Sequence, residues 1–145
     1  MQSELQQLIT SETRVKVSST LDKSVGKKFL TDGDPETCWT SQQGLPQFIQ
    51  LSFPAPILPK RFAITFQGGF VGTRCTVEIP EETGPEKTIW QTLVQIYPED
   101  VNRKQIFELP DLQRGVKAVK LVFHESSDFF GRITVYDLQL EGSNV

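Results

Sequence analysis

The chain has 145 residues, enough for one domain that buries a core without help from metal or disulfides. Fifteen basic and eighteen acidic residues leave a formal charge of -3, and the lysines and arginines are scattered, which argues against DNA or a membrane surface as the main partner. Two cysteines, Cys38 and Cys75, are too few for a stapled scaffold, no Cys/His grouping has zinc spacing, and no apolar run is long enough to span a bilayer, so a soluble intracellular protein is expected.

Residues 1–12 read as an appended tail ahead of a single domain over 13–145. Within the tail, "LQQLI" spaces Leu5, Leu8 and Ile9 as i, i+3 and i+4 anchors of a short amphipathic helix, with Ser3 placed to cap it; the alternative is a frayed tail or a turn packed on the domain, since short isolated helices are marginal. From "TRVKVSS" onward the dominant period is two. "QFIQLSF" puts Ile49, Leu51 and Phe53 on one face, "RFAITFQ" puts Phe62, Ile64 and Phe66 there, and "RCTVEI" does the same with Cys75, Val77 and Ile79. Between the first two, "PILP" is expected to turn the chain. "TIWQTLVQIY" (88–97), "KQIFELP" (104–110) and "VKAVKLVF" (116–123) are rich in β-branched and aromatic residues. In "RITVYDLQLEG" the inward phase changes from Ile133 and Val135 to Tyr136, Leu138 and Leu140, which predicts a bulge near Val135. About eight strands with turn signals between them predict an all-β, antiparallel β-sandwich of jelly-roll type.

The loop "DGDPETCWTS" carries Asp32, Asp34 and Glu36 at alternate positions, as an EF-hand does, but Thr37 and Gln43 stand where that loop needs Gly and Glu. Two readings remain. Asp32 and Thr37 supply oxygens to a hard cation such as calcium, or they only cap the loop's own amides. Elsewhere, "QGGFVGTR" offers Phe70, Val71 and Arg74 on a glycine-rich loop, either as a contact surface or with Phe70 folded back as a lid. In "SSDFFGRI" the adjacent Phe129 and Phe130 cannot both face inward on a regular strand, so one is expected in the core and the other near the sandwich end. The lone His124 at a strand end and two cysteines with no base beside them give no basis for catalysis.

"FLTDGDPETCWTS" followed by "PQFIQLSFPAPILPKRFAITF" resembles the entry to a discoidin, or coagulation factor 5/8 type C, domain of the galactose-binding-like superfamily, and the resemblance runs from about Arg14 to Gly142. More narrowly, "GKKFLTDGDPETCW", "TFQGGF", "YPEDVN" and "DFFGRITVYDLQLEG", in that order, are similar to a family of small nuclear-receptor-associated repressors. The resemblance implies a jelly roll whose first long loop holds one structural calcium or sodium ion. By position, its ligands would be the Asp32 carboxylate, the Asp34 carbonyl, Thr37, the Phe29 or Leu30 carbonyl, and Asp137 beside the Tyr136 carbonyl. Trp39 would then be a core plug under that loop. The secreted members join a cysteine at each end of the domain; Cys38 and Cys75 are internal, which fits a reducing compartment.

The same resemblance implies a monomeric intracellular protein-binding module, nuclear and/or cytoplasmic. It would act as a corepressor that keeps a nuclear receptor from its DNA element by protein contact, with no direct nucleic-acid or membrane binding. The candidate contact residues, read from the loops of this sequence, are Phe70, Val71, Arg74, Phe129 and Phe130, with the Leu5, Leu8 and Ile9 tail similar to helices that enter a nuclear-receptor groove. The alternatives are an adaptor subunit of an assembly such as intraflagellar transport, and a lectin-like carbohydrate- or lipid-binding module.

Overall fold

The computed structural model describes residues 5–81 and 88–145. Among these residues nine strands occur in chain order: β1 (Gln6–Gln7), β2 (Arg14–Val17), β3 (Trp39–Thr40), β4 (Gln47–Phe66), β5 (Arg74–Pro80), β6 (Trp90–Ile96), β7 (Lys104–Glu108), β8 (Val116–Glu125) and β9 (Thr134–Asn144). Two 3-10 turns, Lys23–Val25 and Lys27–Leu30, precede the acidic loop. Every strand pair is antiparallel, as a jelly-roll sandwich requires.

The turn expected at "PILP" is absent, because β4 continues through it as one strand of 20 residues. Proline holds φ near the extended range, so Pro54, Pro56 and Pro59 do not end the strand; they remove ladder donors and force a change of partner. Up to Ser52, β4 pairs with β2 and β8, and after a register shift the β8 ladder ends at Ile57; from Ile57 β4 pairs with β9, and from Arg61 with β7. One strand thus crosses from one layer (β2, β4, β8, β5, β6) to the other (β1, β9, β4, β7) by bending at its prolines.

Between the layers lie the residues that the period-two pattern selects: Ile49, Leu51, Phe62, Ile64, Phe66, Cys75, Val77, Leu121 and Phe123 are all at most 1% exposed. Phe66 and Phe123 meet edge to face at 5.8 Å across the two layers. Trp39 is fully buried, and its indole N–H donates to the Ser19 carbonyl at 3.0 Å, which makes it a core plug under the loop. The phase change in the last strand is a bulge: Thr65 faces Asp137 but Phe66 faces Val135, so Tyr136 is the extra residue.

The N-terminal segment is part of the sandwich from Gln6 onward. Gln6 and Gln7 pair with Gly142 and Glu141, Leu8 donates its amide to the Leu140 carbonyl at 2.8 Å, and its side chain joins the core at 6% exposure. Gly142 makes room for this: a Cβ there would stand 2.1 Å from the Leu58 carbonyl and 2.9 Å from Leu8 Cδ1. The tail helix is therefore corrected. An extended backbone sends successive side chains to opposite sides, so Leu5, Leu8 and Ile9 do not share a helical face, and Leu8 is spent in the core. Leu8→Ala should lower stability by about 2–4 kcal/mol, read as a lower urea midpoint with unchanged slope.

Candidate functional site

In the acidic loop the side chains turn back on their own backbone. Asp32 Oδ1 accepts the Asp34 amide at 3.0 Å, Asp32 Oδ2 accepts the Thr37 hydroxyl at 2.6 Å, and Asp34 Oδ1 accepts the Glu36 amide at 2.9 Å. Gly33, at φ +73°, makes the reversal without the strain of a side chain. These bonds hold the Asp32 carboxyl below its ordinary range, Thr37 contributing most. Asp137 behaves oppositely: loss of hydration at its half-buried position pushes its pKa up, Lys104 and Gln139 oppose that, and the Asp32 charge adds to it. Asp137 and Tyr136 line a cleft of about 520 Å³ together with Gly33, Asp34, Thr65 and Asn102.

The amide-capping reading of this loop is thus present in the structure. The donor set also fits a hard cation in kind, being all oxygen, with the Asp32 carboxylate and the Asp34 carbonyl both within 3.1 Å of Thr37 Oγ1. Phe29 and Leu30 sit on the second 3-10 turn; Leu30 is buried and Phe29 is half-buried with Lys28 Nζ 5.0 Å over its ring.

The second locus is the sandwich end where several loops meet. Phe129 is 93% exposed and Phe130 52%, their rings perpendicular at 5.2 Å. The expectation that one of them enters the core fails because the segment is a turn, with Gly131 donating its amide to the Asp128 carbonyl at 3.0 Å; strand alternation does not govern it. Gly131 has φ +83°, and a Cβ there would crowd the Gly44 backbone at 3.1 Å. The Phe130 carbonyl accepts the Gly44 amide at 2.8 Å, so the turn is seated on the loop after Trp39.

Below the rings Asp128, whose side chain is 9% exposed, accepts the Arg132 amide at 3.0 Å, Nε at 2.9 Å and Nη2 at 3.2 Å. The Arg132 guanidinium lies 5.1 Å from the Phe70 ring centre and 5.6 Å from that of Phe130, linking the two aromatic loops. Phe70 is half-buried under it, nearer the lid reading than a free spike.

Val71 is corrected as a contact residue. Its side chain is fully buried, because its amide and carbonyl are tied to Ser127 at 2.9 Å each and pull it into the core. Arg74 is committed to Glu125 at 2.5 Å on the sheet surface. Two residues of this end escaped the sequence reading: Leu45, 41% exposed beside Gly131, and Arg132. Only "GLP" hinted at Leu45, a turn tripeptide that lifts an apolar side chain outward.

The reactive side chains are occupied. Burial pushes the Cys75 thiol far above its usual range, Cys38 Sγ is 3.7 Å from the Thr40 hydroxyl, and His124 Nε2 is hydrogen-bonded to the Thr76 hydroxyl at 2.7 Å.

No protein-family model matches the sequence. The chain is 41% identical over 138 residues to the nuclear receptor 2C2-associated protein of Danio rerio, spanning 93% of this chain and 94% of that one. It belongs to the nuclear receptor 2C2-associated protein family. The Homo sapiens member is 39% identical over 95% of this chain and 97% of its own. Among solved structures, the F5/8 type C domain of a Bacteroides fragilis protein superposes with a TM-score of 0.78 at 15% identity, covering 97% of this chain and 98% of that one. A family 32 carbohydrate-binding module from Clostridium perfringens NanJ, in complex with galactose, gives 0.75 at 14% identity over 95% and 99%. At such identities these two establish the shared discoidin-like fold alone.

Asp128 makes the aromatic end sensitive to acid. Its carboxyl is depressed in the folded state, chiefly by the hydrogen bonds from Arg132, so its contribution is fully present above the unfolded value near 3.8 and is lost as pH falls through the lower folded value. Asp128→Asn should flatten this acid limb while lowering stability at neutral pH, measured as urea midpoints across the acid range.

Proposed function

We propose that the chain is a protein-binding module that engages a nuclear receptor through the Phe129–Phe130 end, and that it represses by holding the receptor away from its DNA element. The observation that carries this reading is two adjacent phenylalanines held outward by a turn that Asp128, Arg132 and Gly44 fix from below. Large aromatics on a rigid support lose little side-chain entropy on binding and dominate the energetics of protein interfaces. The family's name supplies the class of partner, and Leu45 and the Phe70–Arg132 stack extend the apolar surface around the pair. Action by contact makes the nucleus and cytoplasm the relevant compartments and requires no DNA contact from this chain.

The double variant Phe129→Ala/Phe130→Ala should bind the receptor ligand-binding or DNA-binding region at least about tenfold more weakly while melting at an unchanged temperature, since the rings are exposed. Full retention of binding by calorimetry would exclude this end as the contact. A galactose titration read by the same melt distinguishes a sugar-binding module, which would be stabilised by mass action.

We further propose that the loop of Asp32, Asp34 and Thr37, with Asp137 behind it, takes one calcium or sodium ion that ties the loop to β9. Support comes from the oxygens gathered at the loop, the Asp32 carboxylate and Asp34 carbonyl within 3.1 Å of the Thr37 hydroxyl, with Asp137 lining the same cleft as Asp34. Calcium should raise the melting temperature and chelator should lower it in the wild type, and Asp32→Ala should abolish both responses.

A further inference from the structure

The register of the second layer places its outward side chains on a grid. Asp137, Thr65 and Lys104 form one row across β9, β4 and β7; Gln139, Ala63 and Ile106 form the next; Glu141, Arg61 and Glu108 form the third. Among the described residues β7 has β4 as its one strand neighbour, so its other edge presents unpaired backbone groups. Charge on such an edge normally repels another strand, but the charges of β7 have opposite sign. Lys104 and Glu108 lie on the same face, two residues either side of Ile106, an isoleucine 55% exposed. No register shift interrupts the β4–β7 ladder, so the two faces of β7 stay in phase along its length. Of the other layer's two terminal strands, β6 has a bulge opposite Val77 and Glu78 that shifts its faces, and β2 carries Arg14 and Lys16, charges of one sign, on its exposed face.

We propose that β7 is a self-association edge: a second copy of this chain adds antiparallel, edge to edge, about a two-fold axis at Ile106. Antiparallel pairing about that residue sets Lys104 against the partner's Glu108 twice and Ile106 against the partner's Ile106, each pair on one face. Gln105 and Phe107 meet each other's counterparts on the inner face. The outer row then reads Asp137, Thr65 and Lys104, continued by the partner's Glu108, Arg61 and Glu141, with alternating sign across the junction. Arg61 already lies in loose ion pairs with Glu108 at 3.9 Å and Glu141 at 3.6 Å, so the junction continues a row of charges that each copy holds on its own. The uncharged centre, Ala63 and Ile106 from each copy, lies between the charged rows. A second copy satisfies the edge with a charge pattern that matches only when the strand meets itself in reverse, and this replaces the single-copy state expected from the sequence.

The test is sedimentation of the full chain over a concentration range reaching several hundred micromolar, with circular dichroism to check that each variant is folded. Wild type should show a monomer–dimer equilibrium. Lys104→Glu sets glutamate against the partner's Glu108 at both ends and should weaken the dimer by at least about tenfold. Glu108→Lys should do the same, and the double variant K104E/E108K, which restores opposite charges, should recover it. Ile106→Lys should also abolish association. A wild type that remains monomeric throughout overturns the proposal, as does a dimer indifferent to K104E or not recovered by the double exchange. A monomeric wild type whose receptor binding is lost in Ile106→Lys would overturn it in favour of an added strand from the partner protein.

Discussion

The structure depends on one strand that serves two layers. β4 contributes Ile49 and Leu51 to one side of the core and Phe62, Ile64 and Phe66 to the other, and each half is paired on both flanks. The constraint is proline's missing N–H: across residues 53–56, with Pro54 and Pro56, the chain stays extended without ladder partners, so it can leave one sheet and enter the next without a loop. Whatever sits at the far end of β4 inherits its rigidity. Phe66 leads directly into the glycine loop that carries Phe70, and Gln67 donates its amide to the Thr134 carbonyl at 3.0 Å, joining that loop to the start of β9.

The aromatic end is built outward from this frame by hydrogen bonds that leave little freedom. Ser41 and Ile133 exchange backbone and side-chain bonds at 2.9 Å, Gly69 reaches Asp100, and Ser127 reaches both Val71 and Asp100. Separated stretches of sequence are therefore locked together under Phe129 and Phe130. The cost of exposing two phenylalanines to water is carried by this scaffold, since the turn is held from below by a buried, multiply bonded Asp128 and does not rely on the rings packing on themselves.

Legibility in the sequence divides along the same line. The layers were legible because each inner face is a run of alternating apolar residues, and even the bulge at Tyr136 announced itself as a change of phase. The tail and the strand continuity were not, because Gln6 and Gln7 are polar residues with no apolar alternation, held by strand pairing and by the Leu140 amide donating to the Gln7 side chain at 3.0 Å, and the prolines of β4 carry the same signal as a turn. At the site, residue types showed that Phe129 and Phe130 were unusual neighbours, but their direction depends on Gly131 and on a hydrogen bond to Gly44, a contact too distant along the chain to be visible to local pattern. The failure at Val71 has a similar source: its burial comes from two bonds to Ser127, a residue on another loop.

Self-pairing at β7 would bear on how the aromatic end is used. Lys104 pairs with Thr65, next to Phe66 and the glycine loop, so the Lys104 end of β7 is the end nearer the exposed phenylalanines. An antiparallel junction sends the two Lys104 ends in opposite directions, and with them the two aromatic ends. Such a dimer cannot place both ends on one compact site; it bridges two sites that face each other or two subunits of a larger partner. The gain would then come from effective concentration, with each weak contact held near its target by the other. A partner that is itself two-fold symmetric, with sites separated by the length of the joined sheets, is the geometry that such a molecule matches.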